Sequence, residues 1–252
     1  MDRGFNLSIN AAPYPVDSTK VGAYKAANKK LVDDLAQLMI DEDTFDASLI
    51  LNSLFPAVHA DIFLSHSSAD TNIAIQIALE LQETCGLSVF IDSVIWGSIY
   101  DLLKAIDNKY CRREGQTIYD YDDRNRSTAH VHMILTTALQ RMIDQTHTII
   151  FMNTEQSISL KHSVNEEQKT LSPWIHMELS FSTLVRRRSR YKMVTESKRA
   201  MDKVASNEQL NVAHDAPTGH LSYISESDFR RWMLQASSLK GSNAIDLLYS
   251  DF

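Results

Sequence analysis

At Glu178 a carboxylate stands in the middle of an otherwise apolar helix face. The stretch 171–190 reads LSPWIHMELSFSTLVRRRSR. Ser172 suits the N-cap and Pro173 the first helical position, where its missing N–H costs nothing. Trp174 and Glu178 then fall one turn apart, and Phe181 and Val185 continue the stripe, so the expected buried face is Trp174, Glu178, Phe181 and Val185. Carboxylates are rarely buried without a partner or a task. One task open to a carboxylate there is to stabilise positive charge developing on a reacting molecule. A tryptophan ring one turn away adds a flat apolar surface for stacking. Further upstream, Ser65, His66, Ser67 and Ser68 precede Asp70 at the start of a helical period. Hydroxyls and backbone N–H groups at a helix N-terminus can hold phosphate oxygens.

The elements that must position these groups follow from the hydrophobic pattern. Ala60–Leu64 (ADIFL) is a short apolar run that stops at the serine loop. Ile73, Ala74, Ile77, Ala78 and Leu81 mark an amphipathic helix, and Gly86 sits where a C-cap belongs. Leu87–Ile91 (LSVFI) is a second strand candidate, ending at Asp92. Strand, helix and strand in about thirty residues is the signature of a parallel sheet. In such sheets ligands gather at the carboxyl ends of the strands, which places the serine loop and Asp92 together. After a connecting loop with Trp96 and Gly97, helices are expected around Ile99–Ile106 and over Thr128–Asp144, with a charged inserted loop at 112–127 between them. His147–Asn153 is the third strand, and a polar loop over Thr154–Thr170 leads to the helix of Glu178. His220–Ile224 reads as a last strand, and Asp228–Ala236 and Asn243–Tyr249 as two short helices.

Residues 1–18, with Pro13 and Pro15, read as a loose or extended arm. A helix follows from Lys20 with Tyr24, Leu31, Leu35, Leu38 and Met39 on one stripe, and a short helix spans Ser48–Phe55. This segment suggests packing or oligomerisation. At 252 residues with 44% hydrophobic content the chain is long enough for one large domain or a medium one with an appendage. The net charge of −7 argues against coating nucleic acid. Two cysteines, Cys85 and Cys111, imply no disulfide framework and point to the reducing cytoplasm. The first fifteen residues lack the apolar core of a signal peptide, and no apolar run reaches membrane-spanning length, so neither secretion nor a membrane partner is expected.

Each candidate also has a plain structural account. Glu178 can be a half-exposed helix carboxylate paired with an arginine of 186–190. Ser65, His66, Ser67 and Asp70 can be capping residues, and Asp92 can cap the loop after its strand. His130 and His132 are two apart on a helix and point in different directions, which is poor metal geometry. Asp120, Asp122 and Asp123 lack the glycine and closing glutamate of a calcium loop and read as solvated. The Arg186–Arg188 run complements a helix C-terminus. Cys85 reads as a buried helix residue.

In order and spacing, DIFLSHSSAD (61–70), VFID (89–92), TIIFMN (148–153) and SPWIHMEL (172–179) resemble the successive motifs of a TIR (Toll/interleukin-1 receptor) domain. The likeness covers roughly 59–195, leaving 1–58 as an N-terminal arm with a helical extension and 196–252 as a C-terminal segment packed on or completing the fold. It implies an α/β, flavodoxin-like fold with a mostly parallel sheet flanked by helices. It also implies kinship with the NAD-consuming TIR enzymes of anti-phage signalling. On that reading Glu178 is catalytic, and Ser65, His66, Ser67, Asp92, Trp96 and Trp174 bind substrate. NAD is then the substrate, with no other cofactor and no metal, and the product is an ADP-ribose-derived signal for a separate effector protein. A homo-oligomer, self-assembled, is implied too. Two alternatives stay open: a non-catalytic TIR module that assembles with other TIR chains, and a glycosyl-transferring enzyme using the same glutamate.

Overall fold

The first described strand is the one the sequence reads as an arm. The computed structural model describes residues 1–10, 14–28, 38–39, 44–54, 60–113, 118–159, 168–185 and 212–252, less the side chains of 53–54 and 94–98. In chain order the elements are β1 (Arg3–Ser8), α1 (Ser18–Asn28), α2 (Ala47–Leu54), β2 (Ile62–Ser65), α3 (Thr71–Cys85), β3 (Val89–Phe90), α4 (Ser93–Tyr110) and α5 (Tyr121–Gln145). They continue with β4 (Thr148–Asn153), β5 (Lys169–Thr170), α6 (Pro173–Leu184), β6 (His214–Asp215), β7 (Ser222–Ser225), α7 (Glu226–Ala236) and α8 (Ser242–Asp251).

Five strands form one sheet in the order β3-β2-β4-β1-β7, and every pairing is parallel. Counted from β2, the first three places follow the 2-1-3 beginning of the flavodoxin-like order. The fourth place is filled by β1 from the start of the chain, so the expected loose arm is instead a central strand. Its alternation is short: Phe5 and Leu7 are fully buried on one face. Gly4 points to the other, where a Cβ would run into the side chains of Leu221 and Ile149. Parallel strands covered on both faces read as continuous apolar runs. That is why β2 and β4 are legible in the sequence: Ile62, Phe63, Leu64, Ile149, Ile150, Phe151 and Met152 are all fully buried.

The two faces of the sheet can be told apart by their contacts. On the first, Tyr249 of α8 stacks on Phe5 at 6.0 Å between ring centres. Its hydroxyl donates to the His147 carbonyl and accepts from Thr148 Oγ1. The indole of Trp232 in α7 donates to the Ala244 carbonyl of α8 at 3.1 Å, and Cys85 of α3 reaches the Met233 carbonyl. The second face carries Ser65, which meets α6. Below the sheet the start of the chain is fastened: Arg3 donates to the Tyr249 and Phe252 carbonyls and to Ser222 Oγ.

Contacts divide the chain into two units. The sheet unit comprises Met1–Gly22, His59–Ile91 and Met142–Phe252; the other comprises Ala23–Val58 and Asp92–Arg141. In the second unit, α4 starts directly at Ser93, so the expected loop around Trp96 and Gly97 is helical backbone. The last part of the expected charged loop at 112–127 is helix from Tyr121 onward, where Asp120 caps α5 by accepting from the backbone N–H groups of Asp122 and Asp123. Asp107 is buried there and gathers three partners: Ser127 Oγ at 2.6 Å, Arg124 Nε at 3.0 Å and Cys111 Sγ at 3.6 Å. Leu31, Leu35, Phe55 and the 186–190 arginines lie outside the described residues.

Candidate functional site

Helix α6 begins as its sequence demands. Ser172 is extended at φ −89° and its hydroxyl accepts from the Ile175 N–H at 3.2 Å, with Pro173 in the first turn. Such a cap contributes about 1 kcal/mol. The buried stripe is Ile175, Glu178, Leu179 and Ser182. It therefore keeps Glu178 but is rotated from the expected one: Trp174, Phe181 and Val185 are half-buried at its flank. In PWIHMELSFSTL apolar and polar residues alternate around the helix, so its pattern alone does not choose the face.

Glu178 is 1% exposed. Its Oε2 accepts the hydroxyl proton of Ser65, the last residue of β2, at 2.6 Å across 113 residues of sequence. The carboxylate thus sits at the carboxyl end of a central parallel strand, where ligands of such sheets bind. Ser65 is fully buried, and the structure commits its hydroxyl to the glutamate. His66 is 5% exposed and lies 3.1 Å from the Leu64 carbonyl through Nδ1. Because a carbonyl only accepts, Nδ1 carries the proton. Ser67 caps a single 3-10 turn, Ser68–Asp70, by accepting from the Ala69 N–H, and the carbonyl of Ser67 accepts from Asp70 N–H. Asp70 is buried and receives the Thr154 hydroxyl at 2.6 Å, which ties the serine loop to the turn after β4.

Asp92 and Trp96 belong to the second unit. Asp92 is buried at the N-cap position of α4, and its side chain does not cap that helix. Trp96 lies within α4, and its side chain is outside the described residues. The structure therefore brings Ser65 and Glu178 into contact and sets His66, Ser67 and Asp70 in the loop that follows, with Trp174 one helical turn from Glu178. His130 and His132 are both exposed on α5, flanking buried Val131. Burial pushes the Cys85 thiol up, which suits a core residue and not a nucleophile.

Three strand residues at this end of the sheet escape sequence reading. Ser65 is level with Phe151, and Phe151 with Asn6. One step further along the strands, Asn153 is level with Ser8, and Ser8 with Ser225. Side chains in register on parallel strands share a face. The α6 face is thus apolar lower down, at Phe63 and Ile149, and toward its carboxyl end carries Ser65, Asn6, Asn153 and Ser8 around Phe151. The usable signal was the alternation in GFNLS, too short to stand out beside Pro13 and Pro15. Among the described residues, no helix is long and apolar enough to cross a membrane. No family model, curated protein or solved structure matches this chain.

Proposed function

We propose that the chain cleaves the nicotinamide–ribose bond of NAD, as its resemblance to the TIR enzymes implies, with Glu178 as the catalytic carboxylate. The observation that carries this reading is the burial of Glu178 at the carboxyl end of the sheet, oriented by the Ser65 hydroxyl. The C1′–N bond breaks heterolytically and its electron pair stays on nicotinamide, which leaves as a neutral base and needs no strong acid. The ribose passes through an oxocarbenium-like state, as in glycoside hydrolysis. A fixed carboxylate beside the ribose stabilises that charge and accepts ribose hydroxyl protons in hydrogen bonds. Water, or another nucleophile of the ADP-ribose itself, then bonds to C1′ and gives up its proton to Glu178 or to solvent. Trp174 offers a half-buried ring one turn from the carboxylate, suited to stacking on the substrate. The serine loop before α3 offers backbone N–H groups toward phosphate. The proposal extends to an ADP-ribose-derived signalling product in anti-phage defence and to activity in a self-associated state.

The test is mass spectrometry of the products formed from NAD by the purified chain over a range of protein concentrations. Release of nicotinamide that disappears in Glu178→Ala is the expected result. Activity that survives this substitution overturns the role of Glu178, and no release at any concentration, together with self-association, favours a non-catalytic assembly module.

A further inference from the structure

We infer that Asn6 is a ligand-contacting residue of the Glu178 site, its carboxamide oxygen accepting a hydrogen bond from an N–H or O–H of the bound dinucleotide. The inference rests on the NAD-cleavage reading and adds to it a residue from outside the TIR-like stretch.

The argument begins with the side of the sheet on which Asn6 stands. Asn6 is in register with Phe151, which is in register with Ser65, and Ser65 holds Glu178. The opposite face is identified independently, because Phe5 and Thr148 both meet Tyr249 there. Asn6 and Glu178 therefore address the same side. Two strand spacings separate Asn6 from Ser65, about 10 Å. That is the reach of a nucleoside laid across the strand ends with its reacting ribose at Glu178.

The second observation is chemical. Asn6 Oδ1 is buried, and among the described residues it meets no hydrogen-bond donor. A buried acceptor without a donor costs about 1–3 kcal/mol, and such a group calls for a specific account. The unmet oxygen gives folding no hydrogen bond, and leucine has the same branching at Cγ with no polar atoms. Its neighbours along the strand ends, Ser8 and Asn153, extend the polar surface away from the apolar core. A ligand donor satisfies Oδ1, and Nδ2 remains a donor for a carbonyl or hydroxyl of the same ligand. NAD presents such donors in the nicotinamide amide, the adenine amino group and the ribose hydroxyls.

The decisive variant is Asn6→Leu, measured for NAD turnover and for thermal unfolding. KM is expected to rise about 10-fold with kcat little changed, as for a contact remote from the breaking bond, while Tm stays level or rises. Nicotinic acid adenine dinucleotide and nicotinamide hypoxanthine dinucleotide locate the contact. The penalty vanishes with the first if the partner is the nicotinamide amide, with the second if it is the adenine amino group, and persists with both if it is a ribose hydroxyl. An unchanged KM overturns the inference, as does a Tm lowered by several degrees, which would make Asn6 a structural residue. If Glu178→Ala abolishes cleavage while Asn6→Leu is silent, the catalytic reading stands and this one falls. If the parent chain neither binds nor cleaves NAD, both fall.

Discussion

Two buried carboxylates, Glu178 in the sheet unit and Asp107 in the second unit, are held in opposite ways. Asp107 is pinned by groups close by in the chain: Cys111 at the C-cap of its own helix and Arg124 and Ser127 on the next. A guanidinium, a hydroxyl and a thiol converge on it, and what they fasten is the α4–α5 pair. Glu178 is met by Ser65, 113 residues away, at the open end of a parallel strand. The first carboxylate closes a local structure; the second is presented at an edge where ligands bind. Burial alone therefore does not mark a working residue. The element to which the partner belongs, and the place of that element in the sheet, separate the two.

The largest expected effect is the loss of NAD cleavage in Glu178→Ala, about 10²- to 10⁴-fold in kcat, read by nicotinamide release. Its unfolding midpoint should move much less than that of the next variant. Asp107→Ala should cost about 2–3 kcal/mol in denaturant unfolding, because three partners lose their acceptor. Arg124 is half exposed and can turn to water, which keeps the cost at that level. If Asp107→Ala leaves stability untouched while Glu178→Ala unfolds the protein, the roles assigned to the two carboxylates are reversed. Ser127→Ala should cost about 1 kcal/mol by the same measurement, since it removes one neutral donor and leaves the Arg124 ion pair.

The smallest effect is a pH dependence. Asp120 starts the helix that supplies Arg124 and Ser127. Its carboxyl is held below the usual carboxylate range, first by the backbone N–H of Asp123 and then by Arg113. A lowered folded value means stabilisation that is fully present above the unfolded value of about 3.9 and is lost as pH falls through the folded one. Helix α5 should therefore fray first at its N-terminus below about pH 4, visible as faster amide exchange at 121–124. Unchanged protection of those amides at pH 3 would contradict the capping role.

What the sequence discloses is what is local. Ser172, Pro173 and Gly86 act within one turn of their helix ends, and each is found doing what its type implies. The long apolar runs of β2 and β4 announce buried parallel strands. β1 does not announce itself, because six residues with two strong apolar positions gain their structure from neighbours distant in sequence. The start of α4 reads as a loop in the sequence, since Gly97 in a helix interior costs about 1 kcal/mol relative to alanine; the helix runs through it all the same. In α6 the buried face lies one position from the stripe the sequence suggests, because polar residues such as His176, Ser180 and Ser182 fall on every side of the helix. The Ser65–Glu178 contact depends on the sheet bringing two motifs together, and only their order along the chain hinted at it. Asn6 was invisible for the reason that β1 was.

The place of β1 also sets a timetable. On the ribosome this strand emerges before both of its neighbours, and β7 follows roughly 200 residues later, a wait of roughly 10–40 s at ordinary synthesis rates. Until then β1 can pair with β4 while its other edge stands open, a template for unwanted strand addition. Assembly dominated by such distant partners is slow. The strand that covers this edge, β7, is the last of the sheet to be made, and the protein is most vulnerable to aggregation just before it docks.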